Sequence, residues 1–339
     1  MYILGIESSC DETAAAVVLA RKGASPRLVS NAVSSQVAVH RPYGGIVPEL
    51  ASRSHIRFIT EVIDKALRDA KLSPKKVDAV AATAGPGLPG SLLVGLTAGK
   101  AFAWMLQKPF VAVNHTEAHI CAAFLQDPKL RPPLLALVAS GGHTELILME
   151  KHGSFKILGR TRDDAAGEAY DKVARLLKIP YPGGPGVEKM AGKSKTTYRL
   201  PIARMKNGSL DFSFSGLKTA VAMSLTKTSD RGAVARGFQA AVIGALVMQA
   251  REAIHTTGAK KLILAGGVAA NSALRQAFTG LSTSEKIRLV IPQMNLCTDN
   301  AAMIACAGWF RLARGHRTPL SASSDPSWIA GTVLTGDMA

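Results

Sequence analysis

The sequence predicts an α/β protein of two similar lobes facing a cleft, and three observations carry that expectation. Strand-length apolar runs alternate with helix-length runs along all 339 residues. One unit, strand then polar turn then strand, occurs near residue 7 and again near residue 140. Apolar residues make up 47% of the chain against 19% charged, enough to build a core and unlike a disordered chain. A length of 339 residues is long for one domain and suits two lobes of roughly 150 residues each.

Residues 2–6 are apolar, 7–13 polar and 14–19 apolar again, which reads as a β-hairpin with a functional turn. A helix is expected around 47–70 and a buried strand over 77–82, apolar except for Asp78. GPGLPG at 85–90 turns the chain into a helix around 91–106. A short strand at 110–113 leads to a helix starting near His115. The scheme then restarts with a strand at Leu134–Ala139, a turn SGGHT at 140–144 and a strand at 145–149. Helices follow around 166–178, Ser215–Leu225 and Arg231–Thr257. After them come a strand at 261–264, a Gly266–Gly267 turn, a helix over 271–279, a strand at 288–291 and a helix over 300–314. The tail after Arg317 is rich in Pro and Ser and reads as irregular.

Lys and Arg number 41 against 24 Asp and Glu, a net charge of +17, which is the footprint of a protein that meets a polyanion. Lys189, Lys193, Lys195, Arg199, Arg204 and Lys206 follow one another with no acid between them. That stretch reads equally as an RNA contact and as a solvated basic loop. No apolar run reaches the roughly 18 uncharged residues of a membrane span. The opening MYILGIE has neither a basic region nor a cleavage site, so it is not read as a signal peptide. Cys10, Cys121, Cys297 and Cys306 are far apart with no CxxC pair, which argues against a zinc ribbon or a disulfide framework and for a reducing cytoplasm.

HTEAH at 115–119 puts two histidines one helical turn apart on one face, within reach of a shared cation. In a zinc protease of the HExxH kind the glutamate directly follows the first His. Here Thr116 holds that position, and Glu117 falls on roughly the opposite face, so protease chemistry is disfavoured. The spacing alone leaves metal ligand and core histidine equally open. Asp299 in CTDN at 297–300 stands at a strand-to-helix junction, where an N-cap is the simpler reading than a third ligand.

GIESSCDET at 5–13 places small and acidic residues in a hairpin turn, where backbone N–H groups can meet phosphates and Asp11 can hold a phosphate-bound cation. Ser140, Gly141 and Gly142, with His143, offer the same from the other half. GGVAAN at 266–271 joins strand to helix, a seat for adenine or ribose, although Asn271 also reads as a helix cap. Glu168 and Asp171 are neighbours on a helix and can accept from ribose hydroxyls, or Asp171 can pair with Arg175 at i,i+4. YPGGP at 181–185 reads as a rigid turn that lines the pocket or connects two helices. The order of these turns matches the two-lobed fold of sugar kinases, Hsp70 and actin (the ASKHA fold), with a central cleft. The expected division is 1–114 plus about 300–339 for one lobe and 115–299 for the other.

The chain also resembles the TsaD family, tRNA N6-adenosine threonylcarbamoyltransferases, once called sialoglycoprotein endopeptidases. The resemblance covers nearly the whole chain through GIESSCDETAAAV at 5–17, YGGIVPELASRSH at 43–55, AGPGLPGSLLVG at 84–95, HTEAH at 115–119 and SGGHTEL at 140–146. It continues in DDAAGEAYDKVARLL at 163–177, YPGGP at 181–185, DFSFSGLKT at 211–219, AGGVAAN at 265–271 and CTDNAAMIA at 297–305. Two departures are mild: Ala118 replaces the usual glycine before the second histidine, and Ala139 the common valine before SGGH.

The resemblance implies that His115, His119 and Asp299 hold one metal ion, iron(II) with zinc as an alternative. It implies that Val138, Ala139, Ser140, Gly141 and Gly142, with Asp171, Gly184 and Asn271, bind threonylcarbamoyl-AMP. Asp11 and Glu12 are implied catalytic residues at the phosphate end of the cleft. The implied reaction carries the threonylcarbamoyl group to N6 of adenosine 37 in tRNAs reading ANN codons and releases AMP. TsaB and TsaE are the implied helper proteins, tRNA the macromolecular substrate, and no membrane is involved. The adenine amine is a weak nucleophile and needs an activated acyl donor, which an anhydride with AMP supplies. A Lewis-acidic metal and backbone N–H groups of 140–142 suit that chemistry. No serine or cysteine triad is evident, and His143 is a base candidate by type only. The rivals are a metalloprotease, a small-molecule kinase on the same fold, and a non-enzymatic scaffold, which would have lost the metal ligands.

Overall fold

The computed structural model describes the chain except for Arg204, Lys206, Asn207 and residues 335–339, so two cations of the basic stretch lie outside the described residues. Ten strands are described: β1 Tyr2–Glu7, β2 Glu12–Leu19, β3 Arg27–Ser35, β4 Ala79–Gly85, β5 Phe110–Asn114, β6 Leu134–Ala139, β7 Thr144–Lys151, β8 Ser154–Arg160, β9 Lys261–Ala265 and β10 Arg288–Val290. The helices are α1 Val37–His40, α2 Pro48–Asp69, α3 Pro89–Leu106, α4 His115–Gln126, α5 Ala166–Leu176, α6 Gly183–Lys193, α7 Ser215–Leu225, α8 Arg231–Thr257, α9 Ser272–Ser284, α10 Met294–Cys297 and α11 Ala301–Ala313.

The strands form two five-stranded sheets, ordered β3-β2-β1-β4-β5 and β10-β9-β6-β7-β8. Each has the same plan. A central strand makes an antiparallel hairpin on one side, extended by a third antiparallel strand. On its other side lie two parallel strands. The repeat of strand, turn and strand is therefore the visible part of a repeated sheet.

The alternation within the central strands explains the layering. In β1, Ile3 faces one core while Leu4 and Ile6 face another. In β6, Leu134, Ala136 and Val138 face the first core, and Leu135 and Leu137 a third. Both strands are thus buried on both faces and read as unbroken apolar runs. Helices α4 and α11 fill the layer between the sheets, α2 and α3 cover the first sheet outside, and α5 to α9 cover the second. The close approach of α11 to β1 depends on Gly5, where an added Cβ would lie 2.3 Å from Ala301 O.

Helix α8 is long and apolar enough to cross a membrane by length and composition. Here it is a core helix: Val234, Phe238, Val242 and Leu246 are buried under the second sheet. Asp230 caps its start by accepting from Ala233 N at 2.8 Å.

Five elements lie outside the sequence expectation: the one-turn helices α1 and α10, the strands β3 and β8, and helix α6. Strands β3 and β8 are sheet edges whose serines, lysine and arginines leave no clean apolar run, so the sequence did not announce them. The segment expected as a rigid turn at 181–185 opens α6, whose GGPG start has poor helix propensity but packs Gly183 closely on Asp171 and Ala174. The basic stretch is accordingly helical up to Lys193 rather than loop throughout.

Candidate metal centre and cleft

Helix α4 starts without a linker after β5 because Asn114 caps it, its Oδ1 accepting from Glu117 N at 3.1 Å. That cap fixes the rotation of the first turn and points both histidines at the same place. His115 and His119 are buried, with ring centroids 4.7 Å apart and planes at 82°. The cap expected of Asp299 is made by its neighbour: Asn300 Oδ1 accepts from Met303 N at 3.1 Å. Asp299 is freed to face the histidines, with Oδ1 3.5 Å from His115 Nε2 and 3.2 Å from His119 Nε2. One donor atom from each of the three lies within 4.8 Å of the others.

Glu7, which the sequence did not single out, completes the arrangement from the end of β1. His115 Nδ1 lies 3.0 Å from Glu7 Oε2 and 3.1 Å from Ser9 Oγ. A proton on Nδ1 donated to that carboxylate leaves the Nε2 lone pair facing Asp299 and His119, the tautomer a metal ligand needs. Glu7 is held in turn by Thr83 Oγ1, which donates to Oε2 at 2.8 Å, and by Ser9 N, which donates to Oε1 at 2.5 Å.

The electrostatics ask for a cation. Burial opposes charge on His115, but Asp299 and Glu7 outweigh it and push the imidazole up to about 9. Burial likewise opposes ionised Asp299 and Glu7, yet the histidines hold both carboxyls below the usual range. His143, facing the same cluster, is pushed down to about 4 by burial and by His115 and His119. Neither buried ring nitrogen of His119 makes a well-aligned hydrogen bond among the described residues, although Nε2 lies 3.2 Å from Asp299 Oδ1. A buried nitrogen left without an aligned partner costs about 1–3 kcal/mol, and a metal shared by Nε2 and Asp299 would remove that cost. The donor set, two imidazoles and a carboxylate, suits iron(II) or zinc. Glu117 points away from the cluster, accepting from Gly331 N at 2.8 Å beside Arg311 and Arg314, so the protease base is absent from this site.

Two hairpin turns flank the cluster. The first, between β1 and β2, is tightly braced. Ser8 Oγ donates to Ser91 O at 2.7 Å, and Leu88 N donates to Ser9 O at 2.8 Å. His55 Nε2 donates to Cys10 O at 3.0 Å, while its Nδ1 accepts from Thr13 Oγ1 at 2.8 Å and Gln36 Nε2 at 3.2 Å. His40 donates to Gln36 Oε1 at 3.2 Å, extending this chain of bonds into the segment after β3. Burial lowers His40 and His55 alike, which keeps the chain neutral. Asp11 is buried and accepts from Tyr181 Oη at 2.9 Å, tying the turn to the start of α6 across the cleft. Glu12 opens β2, and burial followed by the charge of Asp11 raises it well above the usual carboxyl range.

The second turn, between β6 and β7, is bare. Ser140 N donates to His143 O at 2.8 Å and His143 N to Ser140 Oγ at 3.1 Å. A Cβ added at Gly141 or Gly142 would meet nothing within 4 Å, so packing does not require glycine there. An exposed glycine pair over open space is what close approach of a ligand to the backbone requires. Gly184 and Gly267 open onto space in the same way.

The other expected substrate residues have structural roles as well. Val138 and Ala139 are fully buried in β6, so their side chains belong to the core and they place the Ser140 turn. Asp171 does not pair with Arg175: its Oδ1 accepts from Gly183 N at 2.7 Å, while Arg175 donates to Gly44 O at 2.9 Å. Glu168 pairs with Lys172 at 3.0 Å. Asn271 caps α9 by accepting from Leu274 N at 2.9 Å and donates to Gln239 Oε1 at 2.9 Å.

Comparison with known proteins follows the same lines. The sequence profile described as "TsaD: tRNA N6-adenosine threonylcarbamoyltransferase" matches residues 27–306. A tRNA N6-adenosine threonylcarbamoyltransferase of Anoxybacillus flavithermus is 48% identical over 336 residues, 97% of each chain. One from Geobacillus thermodenitrificans is 50% identical over 333 residues, 96% of each. Among solved structures, HypF of T. kodakarensis matches with TM-score 0.64 and 15% identity, over 92% of this chain and 48% of that one. The activator of 2-hydroxyisocaproyl-CoA dehydratase from Clostridium difficile matches with TM-score 0.53 and 14% identity, over 93% and 96%. A ROK hexokinase from Thermus thermophilus matches with TM-score 0.50 and 14% identity, over 93% and 100%. These distant structures establish the ASKHA-like fold, in agreement with the repeated sheets.

Proposed function

This chain belongs to the TsaD family of tRNA N6-adenosine threonylcarbamoyltransferases, and from that premise we propose that it transfers threonylcarbamoyl from threonylcarbamoyl-AMP to N6 of adenosine 37 in tRNAs reading ANN codons. The observation that carries the reading is the His115–His119–Asp299 cluster set between one braced acidic turn and one open glycine turn. The lobes in this reading are 1–114 with about 300–339, and 115–299, closing on the cleft.

In the reaction the N6 lone pair forms a bond to the carbamoyl carbon. The bond from that carbon to the phosphate oxygen breaks, AMP leaves with the electron pair, and N6 loses one proton. His115, His119 and Asp299 would hold one iron(II), or zinc, which supplies Lewis acidity when bound. Glu7 and Ser9 fix the His115 ring, so the ligand lone pair needs no reorganisation. The N–H groups of Gly141 and Gly142 receive the phosphate in the open turn, with Gly184, Asp171 and Asn271 around the nucleoside. Asp11 and Glu12 stand at the phosphate end, where a carboxylate repels departing AMP and favours its release. His143, kept neutral by burial and its neighbours, is the residue we assign, by side-chain type, to take the N6 proton. The net charge of +17 supplies attraction for tRNA, and TsaB and TsaE are the proposed helpers in the cytoplasm.

The test is transfer from threonylcarbamoyl-AMP to unmodified tRNA with the helpers present, read by mass spectrometry of the digested tRNA. Threonylcarbamoyladenosine should form with wild type and fall at least about a thousandfold with Asp299→Ala. Failure of the folded, metal-loaded wild type to modify tRNA would refute the proposal and favour a small-molecule kinase.

A further inference from the structure

A groove of about 500 Å³ lies at the rim of the cleft, between Arg41 in the segment after β3 and the length of α6 with the residues that precede it. Its floor is apolar, formed among others by Ile179, Tyr181, Pro182 and Met190. Its rim carries Arg41, Lys189 and Lys193, and none of the described residues that line it is acidic. Lys189 and Lys193 are four apart on α6, so they share one face of the helix and both are exposed. No carboxylate among the described residues forms an ion pair with any of the three cations. Arg41 spans the groove through Nε, which donates to Tyr181 O at 3.3 Å. Tyr181 joins the groove to the site: it lines the floor while its hydroxyl is bonded to Asp11.

An apolar floor with one aromatic ring and a rim of unopposed cations matches a single-stranded nucleotide, whose base stacks and whose phosphates pair. We propose that this groove binds a nucleotide flanking the target adenosine, with its base on the Tyr181–Pro182–Met190 floor and its backbone phosphates on Arg41, Lys189 and Lys193. The inference rests on the tRNA reading above and deepens it. It also gives the first part of the basic stretch a role: two of its lysines stand on a formed helical face beside the site.

The test is binding of unmodified tRNA to the full-length protein, by fluorescence anisotropy over a range of salt, with thermal midpoints as the control for folding. Lys189→Ala with Lys193→Ala should weaken binding about tenfold at low salt and reduce the slope of log affinity against log salt by roughly 1.4, about 0.7 for each single-strand phosphate no longer neutralised. Tyr181→Leu should weaken binding about tenfold with the slope unchanged, because stacking releases no counterions. Tyr181→Phe keeps the ring and should bind like wild type, and so should Lys75→Ala with Lys76→Ala, in an exposed turn that does not line the groove. Wild-type affinity and slope in the paired lysine variant would overturn the groove while leaving the transferase reading intact. So would intact tRNA binding in that variant with loss of binding to polyglutamate, which would make the occupant an acidic protein. Wild type that binds no tRNA would instead sink the reading on which the inference rests.

Discussion

The two hairpin turns occupy equivalent positions in equivalent sheets, yet they are built in opposite ways. The turn after β1 is a wall: Ser8, Ser9 and Cys10 are each bonded to a separate element, and Glu7 and Ser9 reach His115 of the candidate metal cluster. The turn after β6 is a landing: two glycines over open space, bonded mainly within itself. A duplicated fold thus supplies one rigid face, which in the proposed reaction orients a metal ligand, and one naked backbone face, which in that proposal receives an anion.

The sharpest way to break this contrast is to swap what each turn tolerates. Gly142→Val adds atoms where nothing lies within 4 Å, at a residue without a positive φ. The melting temperature should hold within about 2 °C while transfer falls about a hundredfold, because the donor can no longer approach the backbone. Loss of stability with retained activity would mean that the glycine serves packing instead. Glu7→Gln should weaken metal affinity by roughly 10- to 100-fold, measured by chelator competition, since it removes the carboxylate that sets the His115 tautomer. Unchanged affinity would show that the bond to Ser9 suffices. Gly87→Ala should cost about 1–3 kcal/mol in urea unfolding, because its Cβ would lie 2.7 Å from Ser9 Cβ and O in the braced turn.

How much of this was legible in the sequence depends on how far apart the partners are. The spacing of His115 and His119 fixes their shared face once a helix is granted, so the pair was readable. The choice between Asp299 and Asn300 as cap was not, because adjacent residues compete for one geometry and only the fold decides. Glu7 was invisible as a partner because it meets His115 across 108 residues of chain. The repeated hairpins were readable from their buried central strands, while β3 and β8 were hidden by their polar edge composition.

The smallest expected effect concerns the acids that follow each turn. Glu145, just past the second turn, is raised by burial, against the pull of Arg160, from 4.5 to about 7. Its Oε2 is buried without a partner among the described residues. An acid raised by folding binds more protons in the folded state, so stability falls as pH rises from about 4.5 to 7 and levels off above. Glu145→Gln should flatten that part of the profile in urea titrations. An unchanged slope would place the proton uptake elsewhere.

The central claim is that transfer to tRNA runs at the cluster between the two turns. Its most direct test measures metal content and single-turnover threonylcarbamoyl transfer together, for wild type and for His119→Ala. Wild type should carry one metal per chain and form product. The variant, with its folding intact by circular dichroism, should carry no bound metal and form no product. Full transfer by a folded, metal-free variant would contradict the claim and leave the cluster a structural feature of the interface between the sheets.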